Sequence, residues 1–132
     1  NILGGRVMHY MDICAAMSAY KHARSPVVTA SVDRLNFLAP AKMGDILILK
    51  SSVNYTGNTS MEVGVRIESE NTISGEINHT ASAYLTFVSL DDERKPKQVE
   101  GINPETADEV RRFKQAEMRK ELRKARLKNI VK

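Results

Sequence analysis

Ser60 to Glu70 reads Ser-Met-Glu-Val-Gly-Val-Arg-Ile-Glu-Ser-Glu, with Met61, Val63, Val65 and Ile67 alternating with Glu62, Gly64, Arg66 and Glu68. A period of two over that length predicts a strand with one apolar and one polar face. The pattern recurs within Thr80 to Leu90, where Ala81, Ala83, Leu85 and Phe87 interleave with Ser82, Tyr84 and Thr86. Val27 to Phe37 and Asp45 to Tyr55 complete four strand-like runs. Ala39-Pro40 with Gly44-Asp45, then Gly57-Asn58, then Asn71 with Gly75 separate them. Each connection is too short for a crossover helix, which predicts antiparallel neighbours in chain order. Ile46, Leu47, Ile48 and Leu49 are apolar on both faces, so the outside of the sheet is expected to be covered by a partner subunit.

Before the strands the period is helical. Gly5 to Lys21 carries Val7, Met8, Met11, Cys14, Ala15, Ser18 and Ala19 on one broad apolar or small face. Lys21, His22 and Arg24 suit the negative end of the helix dipole, and Ser25-Pro26 stops the helix. Strands of roughly ten residues span about 33 Å and a helix of roughly 17 spans about 25 Å, so one long sheet can curl around one helix. The expected class is α+β.

With 132 residues, 42% of them hydrophobic, the chain suits one compact domain over residues 1–100 and a helical extension over 101–132. The extension has Pro104 near its start, Thr106 or Asp108 to cap it, and a ragged stripe of Val110, Phe113, Met118 and Leu122. Ten of the 20 Lys and Arg residues lie beyond residue 100 against five of the 16 Asp and Glu residues, so the basic character belongs to the extension. The preferred reading there is a basic helix packed on the domain or on a neighbour, ahead of a dedicated anion-binding arm.

The composition argues against several functions. The main domain lacks a basic stripe interleaved with aromatics, which weighs against nucleic acid. No run of 18 apolar residues or signal peptide is visible, so no membrane insertion is expected and the cytoplasm is the simplest location. Cys14 is the only cysteine and is read as a small core residue. His9, His22 and His79 show no metal-ligand spacing with Cys14 or a carboxylate, so no metal is expected, and His9 is read as a packing or interface residue.

The chemical clue lies at the N-terminus, in Asn-Ile-Leu-Gly-Gly-Arg-Val-Met-His-Tyr-Met-Asp over residues 1–12. Gly4 and Gly5 permit a tight helix entry whose free N–H groups can receive a polarised carbonyl oxygen. Asp12 stands just over two turns later among Met11, Ile13 and Cys14, an ionisable group in a segment built for burial. A helix carboxylate paired with Lys or Arg and a catalytic acid are both compatible with these residues alone.

These pieces together resemble the hotdog-fold acyl-CoA thioesterases, and most closely the brain-type acyl-CoA hydrolases. The resemblance rests on Asn1 to Gly5 with Asp12, Thr29-Ala30-Ser31-Val32-Asp33 with Asn36-Phe37, Pro40, Gly44-Asp45, Thr59-Ser60-Met61-Glu62-Val63, Phe87-Val88-Ser89-Leu90 and Asn103-Pro104-Glu105-Thr106. It implies a hotdog fold and hydrolysis of fatty acyl-CoA to free fatty acid and coenzyme A without a cofactor. Asp12 would be nucleophile or general base and Asn1 the family asparagine, while the free N–H groups of Gly4 and Gly5 at the helix start can stabilise the developing oxyanion. The resemblance also implies a homodimer with shared active sites, assembled further into a trimer of dimers, and a strand before Asn1. Thr59, Ser60, Lys21 and Arg24 are candidates for the coenzyme A phosphates, although turn chemistry explains the first two and a solvated face the others. A hotdog hydratase and a non-catalytic acyl-CoA-binding scaffold are the competing readings.

Overall fold

A computed structural model describes residues 4–131, and Asn1 lies outside them. Helix α1 (Gly4–Ala23) is followed by strands β1 (Val27–Phe37), β2 (Ile46–Thr56), β3 (Ser60–Glu70) and β4 (Ile77–Ser89), and by helix α2 (Ala107–Val131). The chain leaves α1 through Arg24, at φ 55°, whose N–H reaches Tyr20 O at 2.8 Å. That left-handed residue closes the last turn before Ser25-Pro26 redirects the backbone.

All strand pairs are antiparallel, in the order β1-β4-β3-β2. The predicted pairing of β1 with β2 is therefore corrected, because they occupy opposite edges. Leu38 N and Ala39 N both donate to Thr80 O at the start of β4, and the chain then crosses that end of the sheet with Ala41 buried. Three strand spacings cover only about 14 Å, which a connection of this length spans easily. Pro40 and Gly44 mark a change of direction here without marking a hairpin.

The core lies between α1 and one sheet face. Val7, Met11, Ala15 and Ala19 recur every fourth residue on the buried stripe of α1. They meet Met61, Val63, Val65 and Ile67 of β3 and Ala81, Ala83, Leu85 and Phe87 of β4, the alternate residues that the strand period selected. Fully burying a side chain as large as Met61 or Phe87 contributes about 1.5–3 kcal/mol. Met8, predicted on the apolar face, is exposed, because the stripe is narrower than the sequence pattern.

The opposite sheet face is polar and carries α2, the basic helix expected to pack on the domain or on a neighbour. The β2–β3 register shifts between Val53 and Tyr55, so Asn54 is the extra residue of a bulge and Tyr55 stands opposite Glu62. Phe113 of α2 packs on Tyr55 with ring centroids 4.9 Å apart. Two turns later, Arg119 Nε donates to Glu62 Oε1 at 2.6 Å while its guanidinium lies 3.6 Å from the centre of the Tyr84 ring. One more turn brings Arg123 Nη1 to Asp33 Oδ2 at 2.6 Å. With buried Ala116 between them, Phe113, Arg119 and Arg123 make α2 a strap across β2, β3, β4 and β1. Thr106 caps this helix by accepting from Glu109 N at 3.1 Å.

Candidate active site

Asp12 lies at the border of the buried α1 stripe, between buried Met11 and exposed Ile13, and is half-buried. Its Oδ1 accepts a hydrogen bond from Thr29 Oγ1 at 2.7 Å. Thr29 is on β1 opposite Phe87, so its side chain faces α1. The charge-assisted bond fixes the carboxylate rotamer, and Oδ2 has no hydrogen bond among the described residues. Thr29 carries no expected role in the sequence. Seventeen residues and a change of element separate it from Asp12, and nothing local in the sequence signals that pairing.

Two cavities meet at Asp12. A recess of about 280 Å³, chiefly apolar, is lined by Gly5, Met8, Asp12, Thr29, Val32 and Leu35 among others. A more open groove of about 1180 Å³ runs from Asp12 along α1 past Met17 and Lys21 to Arg24. Nine residues of helix separate Asp12 from Lys21, about 13 Å of axial rise. The groove thus places an acid at one end and two cations at the other.

Gly4 and Gly5 open α1, where the first N–H groups have no intrahelical partner. A Cβ on Gly4 would stand 3.4 Å from Phe37 Cζ, whereas one on Gly5 would meet nothing within 4 Å. Gly5 thus presents bare backbone to the recess. His9 also lines the recess, but no hydrogen bond joins it to Asp12 among the described residues, and its ring lies 6.2 Å from that of Tyr10. Cys14 and Ser18 approach Ser51 of β2 in the groove wall, at 3.3 Å and 2.5 Å.

The structure separates the four phosphate candidates. Lys21 and Arg24 line the groove. Thr59 and Ser60 form the β2–β3 hairpin, where Gly57 N donates to Ser60 O and Ser89 N to Thr59 O, and they line neither cavity at Asp12. No group of three or more His, Cys, Asp or Glu side chains among the described residues could hold a metal ion. No helix among them is long and apolar enough to cross a membrane.

Residues 1–76 match the family described as the Thioesterase superfamily. The chain belongs to that superfamily. A Bacillus subtilis relative described as an uncharacterised acyl-CoA thioester hydrolase is 40% identical over 95% of this chain and 73% of its own length. The crystal structure of an apo-hexameric acyl-CoA thioesterase matches with a TM-score of 0.92 and 47% identity, covering 96% of this chain and 81% of that one. An acyl-CoA hydrolase from Staphylococcus aureus, solved with butyryl coenzyme A, coenzyme A and coenzyme A disulfide, matches with a TM-score of 0.89 and 45% identity, covering 98% and 79%. That hydrolase was also solved with an asparagine, an aspartate or a threonine replaced by alanine. The superfamily chain described here has the hotdog architecture: an antiparallel sheet with one helix against its inner face.

Proposed function

We propose that the chain hydrolyses fatty acyl-CoA thioesters to free fatty acid and coenzyme A, with Asp12 as the reacting carboxylate. The observation that carries this is the carboxylate held by Thr29 where an apolar recess meets a groove ending in Lys21 and Arg24. The acyl group occupies the recess, the pantetheine arm follows the groove, and the two cations meet the phosphates. With the thioester carbonyl over the start of α1, the N–H groups at Gly4 and Gly5 stabilise the oxyanion. Asp12 then either takes a proton from the attacking water, or attacks the carbonyl carbon to give an anhydride that water opens. In both routes the carbon–sulfur bond breaks and the thiolate leaves as coenzyme A.

The relatives support the pairing of aspartate and threonine. In the Staphylococcus aureus hydrolase the substituted aspartate and threonine are seventeen positions apart, the separation of Asp12 from Thr29. Its substituted asparagine precedes that aspartate by fifteen positions, whereas Asn1 precedes Asp12 by eleven, so spacing supports Asn1 less than it supports Thr29. We retain Asn1 as a candidate for holding water or the carboxylate. Thr59 and Ser60 stand outside the groove and receive no part in the site of their own chain.

The proposal includes a cofactor-free reaction, a cytoplasmic location and assembly into a trimer of dimers with shared sites. The solved relative described as hexameric supports the assembly. So do exposed Val32 on β1 and exposed Ile13, Met17 and Tyr20 on α1, apolar surface at the recess and the groove that a second copy would cover. A panel of acyl-CoAs of increasing chain length, assayed for free thiol, tests the function. Thiol release supports hydrolysis. Binding without release would favour a carrier, and water addition to an enoyl-CoA would favour a hydratase using His9.

A further inference from the structure

The recess at Asp12 has a wall whose support lies on the other side of the sheet. β1 supplies Thr29, Val32 and Leu35 to that wall. Asp33 sits between Val32 and Leu35 but stands opposite Tyr84 on the polar face, where Arg123 Nη1 donates to it at 2.6 Å and Arg126 Nη2 lies at 4.0 Å. Both members of the closer pair are mostly buried, with side-chain exposures of 20% for Arg123 and 18% for Asp33. β1 needs such a hold. It is an edge strand paired only with β4 in this chain, and its ladder is interrupted between Thr29 and Ser31 and again between Asp33 and Asn36. Arg34, in the second interruption, has a left-handed φ of 52°. Ser31 to Asp33 is the uninterrupted stretch between the two breaks, and Arg123 grips its last residue.

We propose that Asp33, held by Arg123, is a positioning residue for the Asp12–Thr29 pair, so that α2 sets the geometry of the active site from the opposite face of the sheet. This rests on the hydrolase reading of Asp12. Neither Asp33 nor Arg123 touches substrate. Their pair fixes how far β1 stands from α1, and displacing a reacting group by about 1 Å costs on the order of a hundredfold in rate.

The test uses the full chain carrying Arg123→Gln, Arg123→Lys, Asp33→Asn and the Asp33→Asn/Arg123→Gln double change. Arg111→Gln is the control, removing one charge from the same helix at an exposed pair with Asp108. α2 remains anchored in every variant through Arg119 and Phe113. Arg123→Gln should lower kcat about tenfold with KM for acyl-CoA within about twofold, Arg123→Lys should restore part of it, and the double variant should be no worse than either single one. Amide hydrogen exchange should rise across β1 and stay unchanged in β3. A loss confined to KM, or unchanged β1 exchange, or unchanged kcat in an active enzyme would overturn the proposal. A wild-type protein that releases no thiol would sink the hydrolase reading, and β1 exchange would still decide whether Arg123 holds the strand.

Discussion

Thr29 donates its hydroxyl hydrogen to Asp12 across 2.7 Å, joining an edge strand to the central helix through a carboxylate that borders both cavities. The bond orients one carboxylate oxygen and leaves the other without a hydrogen bond among the described residues. The two residues therefore make separable contributions, one chemical and one geometric.

Asp12→Asn keeps the side-chain shape and removes the proposed base or nucleophile. Turnover should fall by about a hundred- to ten-thousandfold with the thermal transition little changed. Steady-state thiol release beside a melting curve checks this, and wild-type turnover in the variant would show that the reacting group lies elsewhere.

Thr29→Val removes the donor while keeping the branched shape. Losing a hydrogen bond to a charged group predicts a kcat lower by about ten- to a hundredfold. Thr29→Ser, which keeps the hydroxyl, should recover most of it. Equal activity in the valine and serine variants would contradict an orienting role.

Gly5→Ala separates function from fold. Its new Cβ meets nothing within 4 Å, so stability should be at least that of the parent. The methyl group enters the recess where the oxyanion would sit, so kcat/KM should drop. A fully active variant would argue that the carbonyl does not approach this end of α1.

Arg119→Met should destabilise the protein by about 3–5 kcal/mol, because it strands the Glu62 carboxylate, whose side chain is 4% exposed. The double change Arg119→Met/Glu62→Gln should regain much of that loss. Urea unfolding midpoints decide between this and a strap that contributes little.

The Lys50 ammonium, hydrogen-bonded to Glu68 at 3.0 Å, holds the Glu68 carboxyl below its ordinary value of 4.5; partial burial opposes this, and the Arg66 charge assists. A carboxyl depressed in the folded state adds stability that is present above the unfolded value and is lost as pH falls through the folded one. Glu68→Gln should therefore be less stable than wild type at neutral pH and should match it in strong acid. A difference that persists unchanged into strong acid would show that ionisation is not its source.

The bounds of β1 and β3 were legible because turn residues bracket both runs, and in β3 apolar and polar residues alternate as well. The strand order was not, since Pro40 and Gly44 would look the same at a hairpin and at a crossing. Asp12 and the Gly4-Gly5 helix start were visible as chemistry out of place in an apolar segment, whereas Thr29 becomes meaningful only after β1 folds onto α1. The inner face of α2 misled the hydropathy reading for a physical reason. Met118 and Leu122 are 65% and 52% exposed, while two of the residues that grip the sheet are arginines.

The order β1-β4-β3-β2 also governs when the active site can form. β1 is made early in synthesis, yet its hydrogen-bonding partner within the chain ends at Ser89, and Arg123 emerges later still. Pairings that distant close large loops before they gain contact energy, which slows folding. The β2–β3 hairpin can assemble while the chain is still being extended. β1, which carries Thr29, must wait for β4, and its contact with Arg123 forms only after α2 has emerged, so a nascent or truncated chain has the Asp12 carboxylate before it has the means to aim it.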